Sequence, residues 1–164
     1  MKIALGADHR GTDVARSIVA HLKSLGHEVD ASVCDGESCD YPDKAYYAAK
    51  RVSEGQADRG IVICSNGVGV CMAANKVRGV RAALVHDSVN AEQSRRHNNA
   101  NVLCLGSETN SAKELLQLTE LWLNAPFDGG RHERRVRKIE AIERGEDPAT
   151  VTTAPPAGAT AQRA

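Results

Sequence analysis

A cysteine stands where a buried strand meets a glycine-rich turn. The apolar run from Gly60 to Cys64 leads into Ser65-Asn-Gly-Val-Gly69, and a short helical segment follows. Backbone N–H groups in such a turn can hold a phosphate or a developing oxyanion. A thiol beside a helix N-terminus ionises more readily and can act as a thiolate or a general base. Position alone leaves two simpler interpretations open, a tight turn that needs glycine and a small residue that ends the strand.

Other reactive side chains follow predicted strands and helices. The carboxylate of Asp8 can exchange protons with sugar hydroxyls and the imidazole of His9 can donate to a phosphate, or the pair is a helix cap and a surface histidine. His97 and Asn98 end a polar helix, where a histidine is commonly only a charge-compatible end residue. Ligands of open parallel sheets bind beyond the carboxyl ends of the strands. We therefore expect Asp8, Cys64 and His97 to gather along one edge.

Two arginines lie four residues apart near the end of the chain. Arg131 and Arg135 share one helix face and form a natural phosphate clamp. A solvated basic surface and a nucleic-acid patch are the alternatives. The formal net charge of zero and the aromatic content of 3% argue against nucleic acid as a partner.

Apolar spacing predicts five strands that alternate with helices. The predicted strands are residues 2–7, 27–33, 60–64, 80–85 and 101–106. A capping box at Ser111-Ala-Lys-Glu114 begins a Leu-rich helix. A last, basic helix over residues 131–144 has Val136, Ile139 and Ile142 as its expected inner face. The alternation implies a parallel sheet that is covered on both faces.

The chain has 164 residues, which suits one domain. We assign residues 1–147 to this domain. Residues 148–164 are rich in Ala, Thr, Pro and Gly without apolar periodicity, and we expect a disordered tail there.

Five cysteines without C-x-x-C spacing predict mostly free thiols and argue against a zinc site or a disulfide framework. No run approaches the roughly 18 apolar residues that span a bilayer. The first residues lack the apolar core of a signal peptide. The expected location is the cytoplasm, with no membrane partner.

Six motifs of the chain stand in a characteristic order. They are Gly6-Ala-Asp-His-Arg-Gly11, Asp40-Tyr-Pro-Asp43, Cys64-Ser-Asn-Gly-Val-Gly69 with Ala73-Ala-Asn-Lys76, Gly79-Val-Arg-Ala-Ala83, His97-Asn98 and Gly129-Gly-Arg-His-Glu-Arg-Arg135. Through them the chain closely resembles the type B ribose-5-phosphate isomerases, a family that also contains galactose-6-phosphate isomerase subunits and allose-6-phosphate isomerase. The resemblance runs from Met1 to about Arg144.

The resemblance implies a three-layer αβα Rossmann-like sandwich around a five-stranded parallel sheet. It implies an aldose–ketose isomerase that interconverts ribose 5-phosphate and ribulose 5-phosphate through an enediolate, with no metal and no cofactor. It also implies a homodimer, or a tetramer of paired dimers, whose active sites use residues of both subunits.

The resemblance assigns a base and an oxyanion site to the third strand and its loop. Cys64 matches the base that moves a proton between C1 and C2. One branch of the family has a glutamate for this role at the position of Val70, so this chain fits the cysteine branch. The enediolate oxygens would be held by the backbone amides of Asn66, Gly67, Val68 and Gly69. Asn66 is also placed among the catalytic residues, since its side-chain amide replaces a hydroxyl that is common in the family.

The same resemblance implies the remaining roles. His97 would help to open the furanose ring and Asp8 would handle hydroxyl protons. The implied substrate-binding residues are His9, Arg131 and Arg135 for the phosphate, Asn98 from the partner subunit for the sugar, and Tyr41.

Two departures from the family pattern concern the substrate. Glu108 stands where an arginine commonly helps to bind phosphate, and it would repel phosphate unless it turns away or pairs with an arginine. The loop reads Ser65-Asn-Gly67 where small triplets such as Gly-Thr-Gly are common. The alternatives are therefore the same chemistry on a six-carbon or unphosphorylated sugar, or, in another class, a non-catalytic sugar-phosphate-binding module. A phosphorelay receiver is excluded because Cys64 occupies the place of its acceptor aspartate.

Overall fold

The computed structural model of the chain describes residues 1–36 and 38–152. Its strands are β1 (Lys2–Ala7), β2 (Glu28–Val33), β3 (Arg59–Cys64), β4 (Ala82–Leu84) and β5 (Val102–Gly106). Its α-helices are α1 (Thr12–Ser24), α2 (Tyr41–Ser53), α3 (Val68–Ala74), α4 (Ser88–Arg96), α5 (Ala112–Asn124) and α6 (Arg131–Glu143). A short 3-10 helix spans Pro148–Thr150.

The five strands form one parallel sheet in the order β2-β1-β3-β5-β4. Helices cover both faces, so the predicted fold class is confirmed. The edge strand β4 is shorter than the predicted 80–85. Side chains occupy the backbone N–H groups at its start, because the N–H of Arg81 donates to Asn101 Oδ1 (2.7 Å) and that of Ala82 to Asn75 Oδ1 (2.9 Å).

Alternate side chains of β3 enter two different cores, as the two-residue period of a strand requires. Ile61 and Ile63 pack in the layer with α1 and α5, whereas Val62 and Cys64 pack in the layer with α2 and α3. The second layer is rich in alanine, so its helices lie close to the sheet. Gly6 belongs to this close approach, since a Cβ there would collide with the carbonyl oxygen of Lys44. The Cys64 thiol therefore faces α2 and α3.

The strand order reverses direction between β1 and β3. The chain leaves β1 outward to β2 and then crosses back to β3 on the other side of β1. Such a switch point opens a crevice beyond the carboxyl ends of the two strands. Asp8 and Cys64 meet there, and the N–H of Asp8 donates to the carbonyl oxygen of Ile63 at 3.2 Å.

Helix α6 has no strand before it and no sheet face to cover. The predicted inner face of α6 is wrong for two residues, because the side chains of Ile139 and Ile142 are 44% and 60% exposed. The buried side instead comprises His132, Val136 and Ala141. The chain continues past α6 into the 3-10 helix, whose Pro148 carbonyl accepts from Lys138 Nζ at 2.6 Å. The predicted tail beyond residue 152 lies outside the described residues.

Three of the five cysteines are free thiols, namely Cys64, Cys71 and Cys104. Cys34 and Cys39 form a disulfide across the loop between β2 and α2, with their Cα atoms 6.3 Å apart. The sequence pattern does not predict this bond, because only the fold of that loop brings the two thiols together. No helix among residues 1–36 and 38–152 has the length and apolar content needed to cross a bilayer.

Candidate active site

The thiol of Cys64 is buried at the carboxyl end of β3 and accepts a hydrogen bond from the loop that follows. The N–H of Gly67 lies 3.2 Å from Cys64 Sγ. This turn requires glycine, because Gly67 has a φ of 77° and a Cβ there would lie 2.5 Å from Leu84 Cδ1. A backbone donor at this distance can stabilise negative charge on the sulfur.

The side chain of Asn66 lies over the same loop. Its Oδ1 accepts from the N–H of Val68 at 3.0 Å and lies 4.0 Å from Cys64 Sγ. Two of the loop amides, those of Gly67 and Val68, thus bond to the loop's own groups. Tyr41, the first residue of α2, packs on Gly69 so closely that a Cβ there would lie 2.7 Å from its ring. The loop is therefore shaped before any ligand arrives.

Asp8 is buried beside this loop, at the carboxyl end of β1. Its Oδ1 accepts from the N–H groups of Arg10 (2.9 Å) and Gly11 (3.1 Å) at the entry to α1. The carboxylate thus organises the turn before a helix, as the simpler interpretation holds, and it also faces the switch point. The adjacent His9 is exposed, with Nδ1 3.4 Å from the carbonyl oxygen of Cys39.

Glu108 pairs with an arginine. Its Oε1 lies 3.6 Å from Arg10 Nε, and both side chains are largely exposed. Ser107 lies at the same carboxyl edge of the sheet and links two of its loops, since its Oγ donates to the carbonyl oxygens of Arg10 (3.0 Å) and Cys64 (3.2 Å). The pairing with Arg10 meets the condition under which a carboxylate is tolerated near a phosphate.

The histidine and the two late arginines lie at the other edge of the sheet, so the expectation of one common edge is wrong. Helix α4 runs back from the carboxyl edge, and its end reaches the amino ends of the strands. There the carbonyl oxygen of Asn99 accepts from Arg81 Nε (3.0 Å), and that of Asn101 accepts from the N–H of Gly60 (2.9 Å). Along β3 this edge is roughly 15 Å from Cys64.

The candidate residues of one chain therefore form two groups at opposite edges, which we name the thiol half-site and the histidine half-site. The thiol half-site consists of Asp8, His9, Tyr41, Cys64 and the loop 66–69. The histidine half-site consists of His97, Asn98, Arg131, His132 and Arg135. The start of α6 is tied to the end of α4, since the N–H of Asp128 donates to the carbonyl oxygen of Arg96 at 3.0 Å.

His132 is a residue that the sequence reasoning missed. Its ring stacks on His97 with centroids 4.2 Å apart and planes 3° apart. Arg131 Nε lies 3.3 Å from His132 Nε2, so that nitrogen accepts and the ring proton belongs on Nδ1. Burial, with the charges of His97, Arg131 and Arg135, lowers the pKa of His132. The sequence could have indicated His132 by its position in the Gly129–Arg135 motif, between Arg131 and Arg135.

The same two histidines and Asp128 bring three potential metal-ligand atoms within 4.8 Å of one another. Asp128 already forms an ion pair with Arg96. Arg96 Nη2 lies 3.1 Å from Asp128 Oδ1, and Arg96 Nε lies 3.3 Å from Asp128 Oδ2. The lone pairs of stacked rings lie in parallel planes and do not converge on one ion as tetrahedral coordination requires. This geometry suits proton handling at His97 better than metal binding.

A parallel sheet with helices on both faces, and a thiol and carboxylate at its switch point, define a three-layer Rossmann-like α/β fold with a polar ligand crevice. The model of the ribose/galactose isomerase family matches residues 3–139, and the chain belongs to this family. The expected family resemblance is thereby confirmed.

Individual relatives agree with this membership. Ribose-5-phosphate isomerase B of Escherichia coli is 43% identical over 143 residues, which cover 87% of this chain and 96% of the relative. D-erythrulose-4-phosphate isomerase of Pectobacterium atrosepticum is 38% identical over 148 residues, 89% of this chain and 97% of the relative. The chain in the crystal structure of ribose-5-phosphate isomerase B from Mycoplasma genitalium with bound ribulose 5-phosphate is 42% identical in sequence to this chain. It has a TM-score of 0.84 and covers 87% of this chain and 96% of that chain.

Proposed function

We propose that this aldose–ketose isomerase interconverts ribose 5-phosphate and ribulose 5-phosphate through an enediolate. The observation that carries the proposal is the Cys64 thiol at the switch point, with the Gly67 N–H 3.2 Å from its sulfur. Family membership, the name of the Escherichia coli relative and the ribulose 5-phosphate bound to the Mycoplasma genitalium enzyme support this substrate.

The proton transfer begins at the open-chain aldose. The thiolate of Cys64 takes the proton from C2, the electron pair of that bond forms the C1–C2 double bond, and O1 becomes negative. Asp8 relays the proton of the C2 hydroxyl to O1. The thiol then returns its proton to C1, and C2 becomes the carbonyl carbon of the ketose.

The loop stabilises the charge that develops on the two sugar oxygens. The amides from Asn66 to Gly69 would surround these oxygens. The Gly67 N–H now donates to the Cys64 sulfur, and the Val68 N–H now donates to Asn66 Oδ1. Both donors would turn to the enediolate oxygens as the thiolate takes up the proton and becomes neutral. The fixed loop backbone keeps these donors in place while their partners change.

Ring opening and most of the phosphate binding would belong to the histidine half-site, with His9 and Tyr41 contributed by the facing thiol half-site. His97 would take the proton of the anomeric hydroxyl and deliver it to the ring oxygen as the C1–O4 bond breaks, which opens the furanose. Arg131 and Arg135 are exposed on one face of α6 and would bind the phosphate together with His9. Asn98 and Tyr41 would contact the sugar.

A homodimer would join the two half-sites. We propose that the thiol half-site of one subunit faces the histidine half-site of its partner, since one chain holds them roughly 15 Å apart. Apolar side chains are exposed beside both, with Met72 65% exposed after the loop and Ile139 44% exposed on α6. A C2 dimer of this kind would form two equal sites.

A second candidate is the same chemistry on a different sugar phosphate. Glu108 changes the charge near the expected phosphate site, and one relative is named for erythrulose 4-phosphate. A non-catalytic binding module is disfavoured, because the chain keeps the thiol, carboxylate and histidine that a binder does not need.

The test is turnover of ribose 5-phosphate beside erythrulose 4-phosphate, allose 6-phosphate and free ribose. We expect Cys64→Ala to lose at least about a hundredfold in kcat. Cys71→Ala is the matched control, because Cys71 lies on the neighbouring helix and a hydrogen bond with Cys104 lowers its pKa to about 7. Retained turnover in Cys64→Ala, or equal loss in both variants, would remove Cys64 from the role of base.

A further inference from the structure

Three arginines line one cavity of about 800 Å³ at the amino edge of the sheet. Arg59 begins β3, Arg81 precedes β4 and Arg95 lies in the last turn of α4. Asn99 and Asn101 contribute amide side chains to the same wall. None of these residues belongs to the proposed sugar-phosphate site.

Arg95 is a buried cation, only 4% exposed. Its Nη1 donates to Asn99 Oδ1 at 2.9 Å and to the carbonyl oxygen of Ala100 at 2.6 Å. Its Nε is buried and has no hydrogen-bond partner within residues 1–36 and 38–152. Burial, together with the charges of Arg59 and Arg81, lowers the pKa of Arg95 to about 10.

The other two guanidiniums are only partly satisfied. Arg59 Nη1 donates to the carbonyl oxygen of Asp58 at 2.7 Å, whereas its buried Nε lacks a partner in the described part of the chain. Two carboxylates face the cluster: Glu140 Oε1 lies 3.5 Å from Arg81 Nη1, and Asp58 lines the cavity beside Arg59. Burial and the neighbouring arginine lower the pKa of Arg59 despite Asp58. The three positive charges therefore repel one another.

The wall of the cavity is already ordered. Arg95 and Arg81 bond to Asn99 from two sides, through its side chain (2.9 Å) and its carbonyl oxygen (3.0 Å). Asn99 has a φ of 48°, a left-handed conformation that is uncommon for a residue with a Cβ. These bonds hold the guanidiniums in place, so a ligand would not need to order them.

We propose that this arginine cavity, formed by Arg59, Arg81 and Arg95, binds a phosphate group, either free phosphate or that of a small phosphate monoester. Guanidinium groups bind tetrahedral oxyanions through paired N–H donors. A doubly charged anion in the cavity would offset the repulsion among the three cations. The cavity volume lies in the range of small-molecule sites and leaves room for a carbon skeleton.

The experiment is calorimetric titration of inorganic phosphate at low ionic strength, where exposed charge contributes most. Wild type is compared with Arg59→Gln, and the double variant Arg131→Ala/Arg135→Ala removes the proposed substrate phosphate site. Arg78→Gln is the matched control, an exposed arginine at the same edge outside the cavity. Arg59 is chosen because Arg95 is too buried to replace safely.

We expect two phosphate sites per chain in wild type and in Arg78→Gln. Arg59→Gln should weaken one of them at least about tenfold while ribose 5-phosphate turnover stays within about twofold of wild type. The double variant should lose the other site. Two unchanged sites in Arg59→Gln, or no site in the double variant, would overturn the arginine cavity. Failure of the proposed function would appear separately, as lack of turnover in wild type.

The double variant also distinguishes the source of the phosphate. Tighter binding of glycerol 3-phosphate than of inorganic phosphate would identify an ester as the occupant, and the reverse would identify free phosphate. Binding of neither would overturn the proposal.

Discussion

The rings of His97 and His132 stack in parallel, with centroids 4.2 Å apart and planes 3° apart. His132 is fixed in turn by Arg131, whose Nε lies 3.3 Å from His132 Nε2. The backbone N–H of His97 donates to the carbonyl oxygen of Gln93 at 2.8 Å, which fixes the backbone of His97 at the end of α4. The stack therefore sets the plane of the imidazole that we propose for ring opening.

Replacement of His97 should separate ring opening from isomerisation. In a four-carbon 4-phosphate the oxygen that would close a furanose ring carries the phosphate, so this sugar stays open. We expect His97→Asn to lower ribose 5-phosphate turnover about a hundredfold or more and to change erythrulose 4-phosphate turnover less than about threefold. The measurement is kcat for both sugars, and equal loss on both would contradict a role confined to ring opening.

Replacement of His132 should act through His97. We expect His132→Ala to lower ribose 5-phosphate turnover roughly tenfold, because an unsupported imidazole loses its orientation. His132→Phe keeps a flat ring and should recover most of the rate. The open-chain four-carbon sugar phosphate is the control substrate and should be unaffected. Equal loss in both variants would show that the stacked ring is not what matters.

The lowered pKa of His132 predicts a loss of stability in acid. Because its folded pKa lies below the ordinary value of 6.5, the unfolded chain binds this proton first as the pH falls. The free energy of unfolding should therefore decrease as the pH falls below about 6.5. Urea unfolding between pH 7 and pH 5 measures this slope.

His132→Gln should flatten that slope, whereas His86→Gln, which removes an exposed histidine, serves as the control. A wild-type slope that survives His132→Gln unchanged would assign the effect to another group.

Hybrid dimers test the shared active site. Cys64→Ala and His97→Asn chains carry their changes in different half-sites, so one site of each hybrid would be intact. Hybrids isolated with two affinity tags should show about half of the wild-type turnover. Hybrids of Cys64→Ala with Asp8→Asn are the control, since both changes fall in the thiol half-site and leave no intact site. If each chain held its own complete site, both kinds of hybrid would be inactive.

Neutralising Glu108 should improve phosphate binding modestly. We expect Glu108→Gln to lower the KM for ribose 5-phosphate about threefold at low salt, because one negative charge is removed and Arg10 is released. Stability should change by less than about 0.5 kcal/mol, since the Arg10–Glu108 pair is exposed. Glu28→Gln on the distant edge strand is the control. A KM that rises instead would mean that the ion pair itself holds the site.

Local sequence patterns determined the elements and the chemistry of the loop. The polar helix predicted to end at His97 is present as α4, and the capping box of Ser111 and Glu114 is present in the structure. The parallel sheet followed from strands that alternate with helices, and Cys64 followed from its place before a glycine turn. These features depend on contacts within a few residues, which apolar period and turn residues report directly.

Tertiary structure alone decided which edge each group occupies and which residues meet. His97 lies opposite Cys64 because α4 returns against the strand direction, and His132 reaches it only because α6 starts beside the end of α4. The arginine cavity joins residues 59, 81 and 95 from three separate elements, and the Cys34–Cys39 bond depends on one loop's path. Such meetings follow from strand order and crossover geometry, which no short stretch of sequence encodes.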